Sequence, residues 1–192
     1  KLGIVDGISI IGTSGIVKPF SSDAFIASIR REMQVAKALK CEHIVINSGA
    51  KSERFVKQLY SNLSTQAFIH YGNFIGETIK IASELDIKKL TRGIMLVKAV
   101  KLAEGSLDTH SKKVVMNKEF LKSIAQEANC NTSIINAIDG ITMARQLWDI
   151  IPQRERRYFS LILKKCHAVC SPLFTKGEFE ILLIDEKGNI IQ

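Results

Sequence analysis

The chain has 192 residues, 46% of them apolar and 24% charged, which predicts one folded domain and excludes intrinsic disorder. No apolar run approaches the roughly 18 residues that a membrane span needs. The 27 basic and 19 acidic side chains give a net charge of +8. This charge attracts anions, but by itself it does not distinguish nucleic acid, a membrane surface and a small polycarboxylate.

The first half of the chain alternates between predicted strands and helices. A β-branched run over residues 2–11 predicts a strand that ends at the Gly12–Gly15 turn. Ser21 or Ser22 then caps a helix that extends to about Lys40. Further strands are predicted at residues 43–47, 66–69 and 90–97, the last interrupted by Thr91-Arg92-Gly93, and further helices at residues 52–60, 74–85 and 98–104.

The second half contains a polar loop at residues 105–113 and then mostly helical patterns. Helices are predicted at residues 117–129, 132–151 and 153–170, followed by a strand at 179–185 and a turn at 186–189. Strands that alternate with helices of ten or more residues form crossover units on a parallel sheet. We therefore predict a single α/β domain over residues 1–192, a Rossmann-like three-layer sandwich with a mainly parallel sheet and a C-terminal helical/β-turn extension.

Ligands of such sheets bind beyond the carboxyl ends of the strands, so the loops at residues 12–21, 47–51, 70–73 and 98–113 are the candidate site. Gly12 and Gly15 permit close backbone approach, while Thr13 and Ser14 supply hydroxyl and amide donors. Such a loop can hold a carboxylate, a ribose or a phosphate. Its spacing matches neither a dinucleotide fingerprint nor a P-loop, and a plain strand-to-helix turn explains the same residues.

The polar loop and the helix before it carry the other candidates. His110 lies between two hydroxyl residues and could act as a general base near neutral pH. Lys98 and Lys101 are three residues apart and so share one helical face, where they could pair with substrate carboxylates. A solvated loop and two solvated lysines are the competing interpretation.

The cysteines and the basic run at residues 154–157 favour structural interpretations. Cys166 and Cys170 continue an apolar stripe with Phe159 and Leu163, so core packing is favoured over a metal site. Four scattered cysteines also favour a reducing, cytoplasmic location. The basic run has no aromatic stacking surface, which favours a solvated helix face over nucleic-acid contact.

Residues 2–21, LGIVDGISIIGTSGIVKPFS, resemble the signature stretch of the cobalt-precorrin-5B C1-methyltransferase (CbiD) family of anaerobic cobalamin biosynthesis. Three further blocks follow in the family's order. Residues 71–76 resemble its Ser-Asn-Phe-x-Gly segment, residues 101–105 with 109–111 resemble its Lys-Leu-Ala-x-Gly…Thr-His-Ser segment, and residues 179–191 resemble its closing strand and turn.

The chain also departs from the family pattern. Where the family has Gly-His-x-Gly-Lys, residues 94–98 read Ile-Met-Leu-Val-Lys, so that only Lys98 is retained. The family's Gly/Thr/Ala-rich N-terminal domain is absent, and the first residue is Lys1 rather than Met. We therefore expect the chain to be the C-terminal domain of a longer enzyme.

The resemblance implies transfer of a methyl group from S-adenosylmethionine to C1 of cobalt-precorrin-5B, which gives cobalt-precorrin-6A. The implied partner is this polycarboxylate tetrapyrrole, with no nucleic acid, membrane or resident metal, and a homo-oligomer is left open. A non-catalytic corrinoid- or anion-binding domain and a basic nucleic-acid-binding module are the alternatives. The expected roles are cofactor binding by Gly12, Thr13, Ser14, Gly15, Gly49 and Asn73, catalysis by His110, Ser111 and Lys98, and substrate binding by Lys101 and Thr109.

Overall fold

The computed structural model of the chain describes residues 21–107, 116–152 and 155–191. The strands of this part are β1 (His43–Asn47), β2 (Phe68–His70), β3 (Lys89–Met95), β4 (Glu178–Ile184) and β5 (Ile190–Ile191). The helices are α1 (Ser22–Ala38), α2 (Ala50–Leu59), α3 (Ile75–Glu84), α4 (Leu96–Ala103), α5 (Lys118–Glu127), α6 (Thr132–Ala137), α7 (Leu147–Ile150) and α8 (Arg156–Cys170). Within this part no helix is long and apolar enough to cross a membrane.

The strands form one sheet in the order β2-β1-β3-β4-β5. The pairs β1–β2, β1–β3 and β3–β4 are parallel, and only β4–β5 is antiparallel. Helices occupy the crossovers between the parallel strands, because a parallel connection must return over the face of the sheet. The predicted α/β class with a mainly parallel sheet is confirmed.

The two faces of the sheet bury different side chains. Ile44 and Ile46 of β1 point into the main core, which contains residues of α1, α3, α4, α5 and α8. Val45, between them, points to the opposite face and packs with Phe55 and Val56 of α2. Strand residues alternate between faces, so three continuous apolar residues in β1 indicate a strand covered on both sides. This arrangement gives the three predicted layers.

Helix α1 begins as the sequence predicts. The Ser21 hydroxyl accepts a hydrogen bond from the Ala24 backbone N–H at 3.2 Å, which satisfies one of the free donors at the helix start. Asp23 lies in the first turn, where the helix dipole favours a negative charge. The helix buries Ile29, Met33 and Ala36, residues at the spacing of one helical face.

Strand β3 differs from its prediction, because it runs without interruption. Residues 91–93 pair on one side with residues 45–47 of β1 and on the other with residues 180–182 of β4. The polar side chains there are accommodated by partners: the Thr91 hydroxyl donates to Glu180, and the Arg92 guanidinium donates to Tyr71. Polar residues in the centre of a sheet are stable only with such partners. Because the sequence pattern does not show the partners, it predicts an interruption of the strand.

The single helix predicted over residues 132–151 is wrong. Helix α6 continues as a short 3-10 turn to Gly140, after which Ile141 adopts an extended conformation. The Gln146 side-chain oxygen accepts hydrogen bonds from the backbone N–H groups of Thr142 and Met143. These bonds replace those of a continuous helix. A second 3-10 turn at Ala144–Gln146 and helix α7 therefore form a separate unit.

Other elements agree with the prediction or shift by a few residues. Helix α2 begins at Ala50, two residues before its predicted start. A 3-10 turn at Thr65–Ala67 precedes β2. Cys166 and Cys170 lie in the main core as predicted. The strand predicted at residues 2–11 lies outside the described residues.

Candidate functional site

The carboxyl ends of β1, β2 and β3 lie side by side at one edge of the sheet. Asn47, the last residue of β1, pairs with His70 of β2 and with Gly93 of β3. The three strands are followed by residues 48–49, by residues 71–74 and by α4. We call this group of strand ends and loops the strand-end site, which is where open parallel sheets bind their ligands.

Lys98 connects the loops of the strand-end site. It lies in the first turn of α4, and its ammonium donates to the carbonyl oxygen of Gly72 at 2.9 Å, to Asn73 Oδ1 at 3.3 Å and to the carbonyl oxygen of Ser48 at 3.4 Å. These three acceptors come from the loops after β1 and β2. One cation therefore holds three segments together that are distant in the sequence.

The surroundings of Lys98 disfavour the charged form of its side chain. Burial lowers the pKa of Lys98 to about 8, and the positive charges of Arg92 and Lys101 contribute to this decrease. Desolvation and neighbouring like charges both disfavour the protonated amine. Lys98 thus changes its charge close to physiological pH, and a bound anion would favour the charged form.

Arg92 lies next to Lys98 and is fully buried. Its Nε and Nη2 donate to the hydroxyl oxygen of Tyr71 at 3.0 and 2.8 Å, whereas its Nη1 has no hydrogen-bond partner among the described residues. The Tyr71 ring centroid is 5.2 Å from the guanidinium carbon and 6.0 Å from Lys98 Nζ. Within the described ranges no carboxylate pairs with either cation, so this part of the site carries uncompensated positive charge.

Asn47 and Gly49 are the remaining residues of the strand-end site. Asn47 is fully buried, and its Oδ1 accepts no hydrogen bond from any residue that the structure describes. Gly49 precedes α2, and a Cβ atom added there would meet no heavy atom within 4 Å. The site therefore combines a buried free acceptor, a buried and a half-buried cation, and open space at the start of a helix.

The structure brings together only some of the predicted site residues. Lys98, Asn73 and Gly49 lie at the strand-end site, and Lys101 lies one turn further along α4, close enough to lower the pKa of Lys98. The remaining predicted residues lie outside the described residues, and their roles stay predictions: Gly12, Thr13, Ser14, Gly15, Thr109, His110 and Ser111.

Sequence reasoning missed the Arg92–Tyr71 pair and a second polar group on the α2 face of the sheet. There, His43 Nε2 lies 2.8 Å from the Thr91 hydroxyl, and Glu180 accepts hydrogen bonds from Thr91 and Tyr60 at 3.0 and 3.1 Å. Burial lowers the pKa of His43. These residues lie away from the carboxyl ends of their strands and bond to one another, so we interpret the group as structural.

The chain is similar to one family model and to several curated proteins. Residues 108–192 match the family model described as CbiD, C-terminal domain. Curated relatives named cobalt-precorrin-5B C(1)-methyltransferase include one from Prosthecochloris aestuarii, which is 36% identical over 193 residues, 100% of this chain and 52% of the relative. One from Geobacillus thermodenitrificans is 39% identical over 167 residues, 86% of this chain and 45% of the relative.

The chain thus spans about half the length of the curated relatives that it matches. No solved structure matches it. The segment that matches the family model contributes β4, which pairs with β3 from the preceding part of the chain, so residues on both sides of position 108 share one sheet. These matches confirm the predicted resemblance, and the chain is a homologue of the cobalt-precorrin-5B C(1)-methyltransferases, related to them over its full length.

Proposed function

We propose that this chain forms part of an S-adenosylmethionine-dependent C-methyltransferase that methylates C1 of cobalt-precorrin-5B to give cobalt-precorrin-6A. The curated relatives carry the name of this activity. The strand-end site would bind the methyl donor, and the polycarboxylate tetrapyrrole would approach from the same edge of the sheet. The predicted cytoplasmic location and a homo-oligomer stay predictions.

The observation that carries this proposal is the pair of cations at the strand-end site. Arg92 Nη1 lacks an acceptor in the part of the chain that the structure describes, and Lys98 holds the loops beside it. S-adenosylmethionine carries a carboxylate, which suits two cations without an anionic partner. The open space at Gly49 and the free acceptor at Asn47 provide room and polarity for the rest of the molecule.

The residues of the site have distinct proposed roles. When bound, S-adenosylmethionine supplies an electrophilic methyl group, and the protein must align it with the acceptor carbon and exclude water. Lys98 positions the loops through its three acceptors. Gly49 and Asn73, with the 12–15 loop, would shape the donor pocket. Lys101 and Thr109 would bind substrate carboxylates, with His110 and Ser111 at the reacting centre and His110 as the base.

Calorimetric titration with S-adenosylhomocysteine tests the proposal. The chain should bind this product, and Lys98→Met should raise the dissociation constant at least about tenfold, because it removes both a charge and the link between loops. Lys88→Met is the matched control, since Lys88 is exposed next to the opposite end of β3. Equal affinities of the two variants would contradict the proposed site. Binding only by a longer protein that includes the N-terminal half of the relatives would place the pocket at the junction.

The affinity for S-adenosylhomocysteine should also fall as the pH rises from 7 to 9. Lys98 has a pKa of about 8, so it is mostly charged at the lower pH and mostly neutral at the higher one. Loss of the charge weakens the attraction for a carboxylate. Lys98→Arg keeps its charge throughout this range and should show a flatter profile. If the affinity for S-adenosylhomocysteine changes equally with pH in both proteins, the pH dependence comes from the ligand's own amine. This result would contradict the proposed role of the Lys98 charge.

One observation favours a second candidate, a binding domain without catalytic activity. Met95 occupies the position at which the resemblance expects the histidine of Gly-His-x-Gly, and Ile94, in place of the first glycine, is buried in the main core. A thioether cannot transfer a proton as a histidine does, and the Ile94 side chain packs in the core instead of leaving room for a ligand. Methyl transfer from labelled S-adenosylmethionine distinguishes the two candidates, since a binding domain would retain the affinity for S-adenosylhomocysteine and transfer no methyl group.

A further inference from the structure

A cleft of about 1090 Å³ opens beside β4, between the segment at residues 143–151, the beginning of α8 and the β4–β5 turn. We call it the lateral cleft. Ile184, the last residue of β4, pairs with Met95 at the end of β3, so the cleft opens at the same edge of the sheet as the strand-end site. Lys51 of α2, two residues after Gly49, forms an ion pair with Glu186 in the β4–β5 turn, which connects the two sites.

The walls of the lateral cleft are fixed by hydrogen bonds. Asp185 accepts bonds from the backbone N–H groups of Lys187 and Asn189, both at 2.8 Å, and from the Asn189 side chain at 2.7 Å. These bonds lower the pKa of Asp185 against the effect of burial and close the turn. Gln146 fixes the opposite wall through its bonds to Thr142 and Met143. The cleft is therefore preformed, as ligand sites usually are.

The charges that remain free in the cleft are mostly positive. Arg145, Arg156 and Lys187 line it and have no ion pair or hydrogen-bond partner for their side chains among the described residues. Of the acidic residues in its lining, Asp185 is committed to the turn and Glu186 to Lys51. Among the described residues of the lining, only Asp149 opposes the three cations, so the cleft favours an anionic ligand with several negative groups.

An aromatic surface accompanies these cations. The Trp148 indole stacks on the Phe159 ring, with centroids 4.2 Å apart and planes 25° apart, and both residues line the cleft. Met143 also lines the cleft and is 47% exposed. A flat ring packs well against an aromatic and thioether surface. The volume lies just above the range of about 300–1,000 Å³ for small-molecule pockets, which suits a large ligand.

We propose that the lateral cleft binds a flat macrocycle with several carboxylates, whose ring lies against Trp148 and Met143 while its carboxylates pair with Arg145, Arg156 and Lys187. This inference rests on the proposed function for the identity of the macrocycle, which is the tetrapyrrole substrate. It assigns the substrate to a surface separate from the strand-end site. The two sites share one edge of the sheet, so donor and acceptor can meet between them.

The test uses uroporphyrin, a tetrapyrrole with an acetate and a propionate on every pyrrole ring. Trp148 is the only tryptophan of the chain, so its fluorescence, corrected for porphyrin absorbance, reports directly on the cleft. Uroporphyrin should quench it saturably, and coproporphyrin, which lacks the acetates, should bind more weakly. Trp148→Phe should remove the signal, which verifies its origin. Absence of saturable quenching by uroporphyrin would overturn the proposal.

Matched variants test the cations. Arg156→Gln should weaken uroporphyrin binding about tenfold, because a charge pair is lost, and Arg157→Gln should leave it unchanged, because this exposed neighbour does not line the cleft. Lys187→Gln, in an exposed turn, provides a second variant that should fold normally. Equal binding by Arg156→Gln and Arg157→Gln, with Lys187→Gln also unaffected, would overturn the assignment.

The outcomes separate this inference from the proposed function. Quenching by uroporphyrin that depends on Arg156, without binding of S-adenosylhomocysteine by the chain or by a longer protein that includes the N-terminal half of the relatives, would support the lateral cleft and reject the methyl-donor site. Binding of S-adenosylhomocysteine that depends on Lys98, without quenching, would support the donor site and reject the lateral cleft.

Discussion

Replacing Tyr71 with phenylalanine should lower the free energy of unfolding by about 3 kcal/mol. The Tyr71 hydroxyl accepts two hydrogen bonds from the fully buried Arg92 guanidinium, whose third nitrogen already lacks a partner within the described part. Its removal leaves a buried cation without a strong acceptor, and a buried unpaired charge is among the most destabilising changes in a protein. Urea denaturation followed by circular dichroism measures the loss.

A double-mutant cycle with Arg92→Met identifies the cause of this loss. Because the methionine carries no charge, the double variant should recover at least half of the stability lost in Tyr71→Phe. Tyr60→Phe is the matched control, since Tyr60 donates a single hydrogen bond to Glu180 in a half-buried position, and it should cost about 1 kcal/mol or less. If the losses in free energy of unfolding of the two single variants add up in the double variant, the buried Arg92 does not depend on the Tyr71 hydroxyl.

Gly93→Ala should be the second strongly destabilising substitution, with a loss of about 2 kcal/mol. Gly93 lies in the central strand β3, and a Cβ atom there would be 2.4 Å from Val56 Cγ1 and 3.2 Å from Ile184 Cδ1. Val56 is fully buried and β-branched, so its side chain cannot rotate away easily. Helix α2 must move outward, which would also displace Gly49 and weaken the binding of S-adenosylhomocysteine.

Thermal and urea denaturation of four variants, Gly140→Ala, Gly93→Ala, Val56→Ala and the double variant of the last two, test this explanation. Gly140→Ala should change the stability by no more than about 0.5 kcal/mol, since a Cβ atom added at Gly140 would meet no heavy atom within 4 Å. Gly93→Ala combined with Val56→Ala should be less destabilised than the sum of the single variants, because the smaller side chain makes room for the added methyl group. If Gly93→Ala unfolds no more easily than Gly140→Ala, the close packing of α2 on β3 is refuted.

The strand-end site was only partly predictable from the sequence. The helical spacing of Lys98 to Lys101 marks Lys98 as a candidate, but nothing in that spacing indicates that its ammonium reaches Ser48, Gly72 and Asn73. The sequence pattern places Arg92 in an interruption of β3, whereas the structure buries it fully within the strand. A polar residue in an apolar run predicts a break unless its partner is known, and Tyr71 lies 21 residues away in the sequence.

The sequence by itself determined the elements whose signals are local. The Ser21 cap and the apolar spacing of α1 and the β-branched run of β1 specify those elements, because hydrogen bonding and side-chain alternation act within a few residues. The family resemblance also came from the sequence alone. Tertiary structure decided the rest: the continuity of β3, and the meeting of Lys98, Arg92 and the loops at one edge. These depend on contacts between distant segments, whose free energies no local pattern encodes.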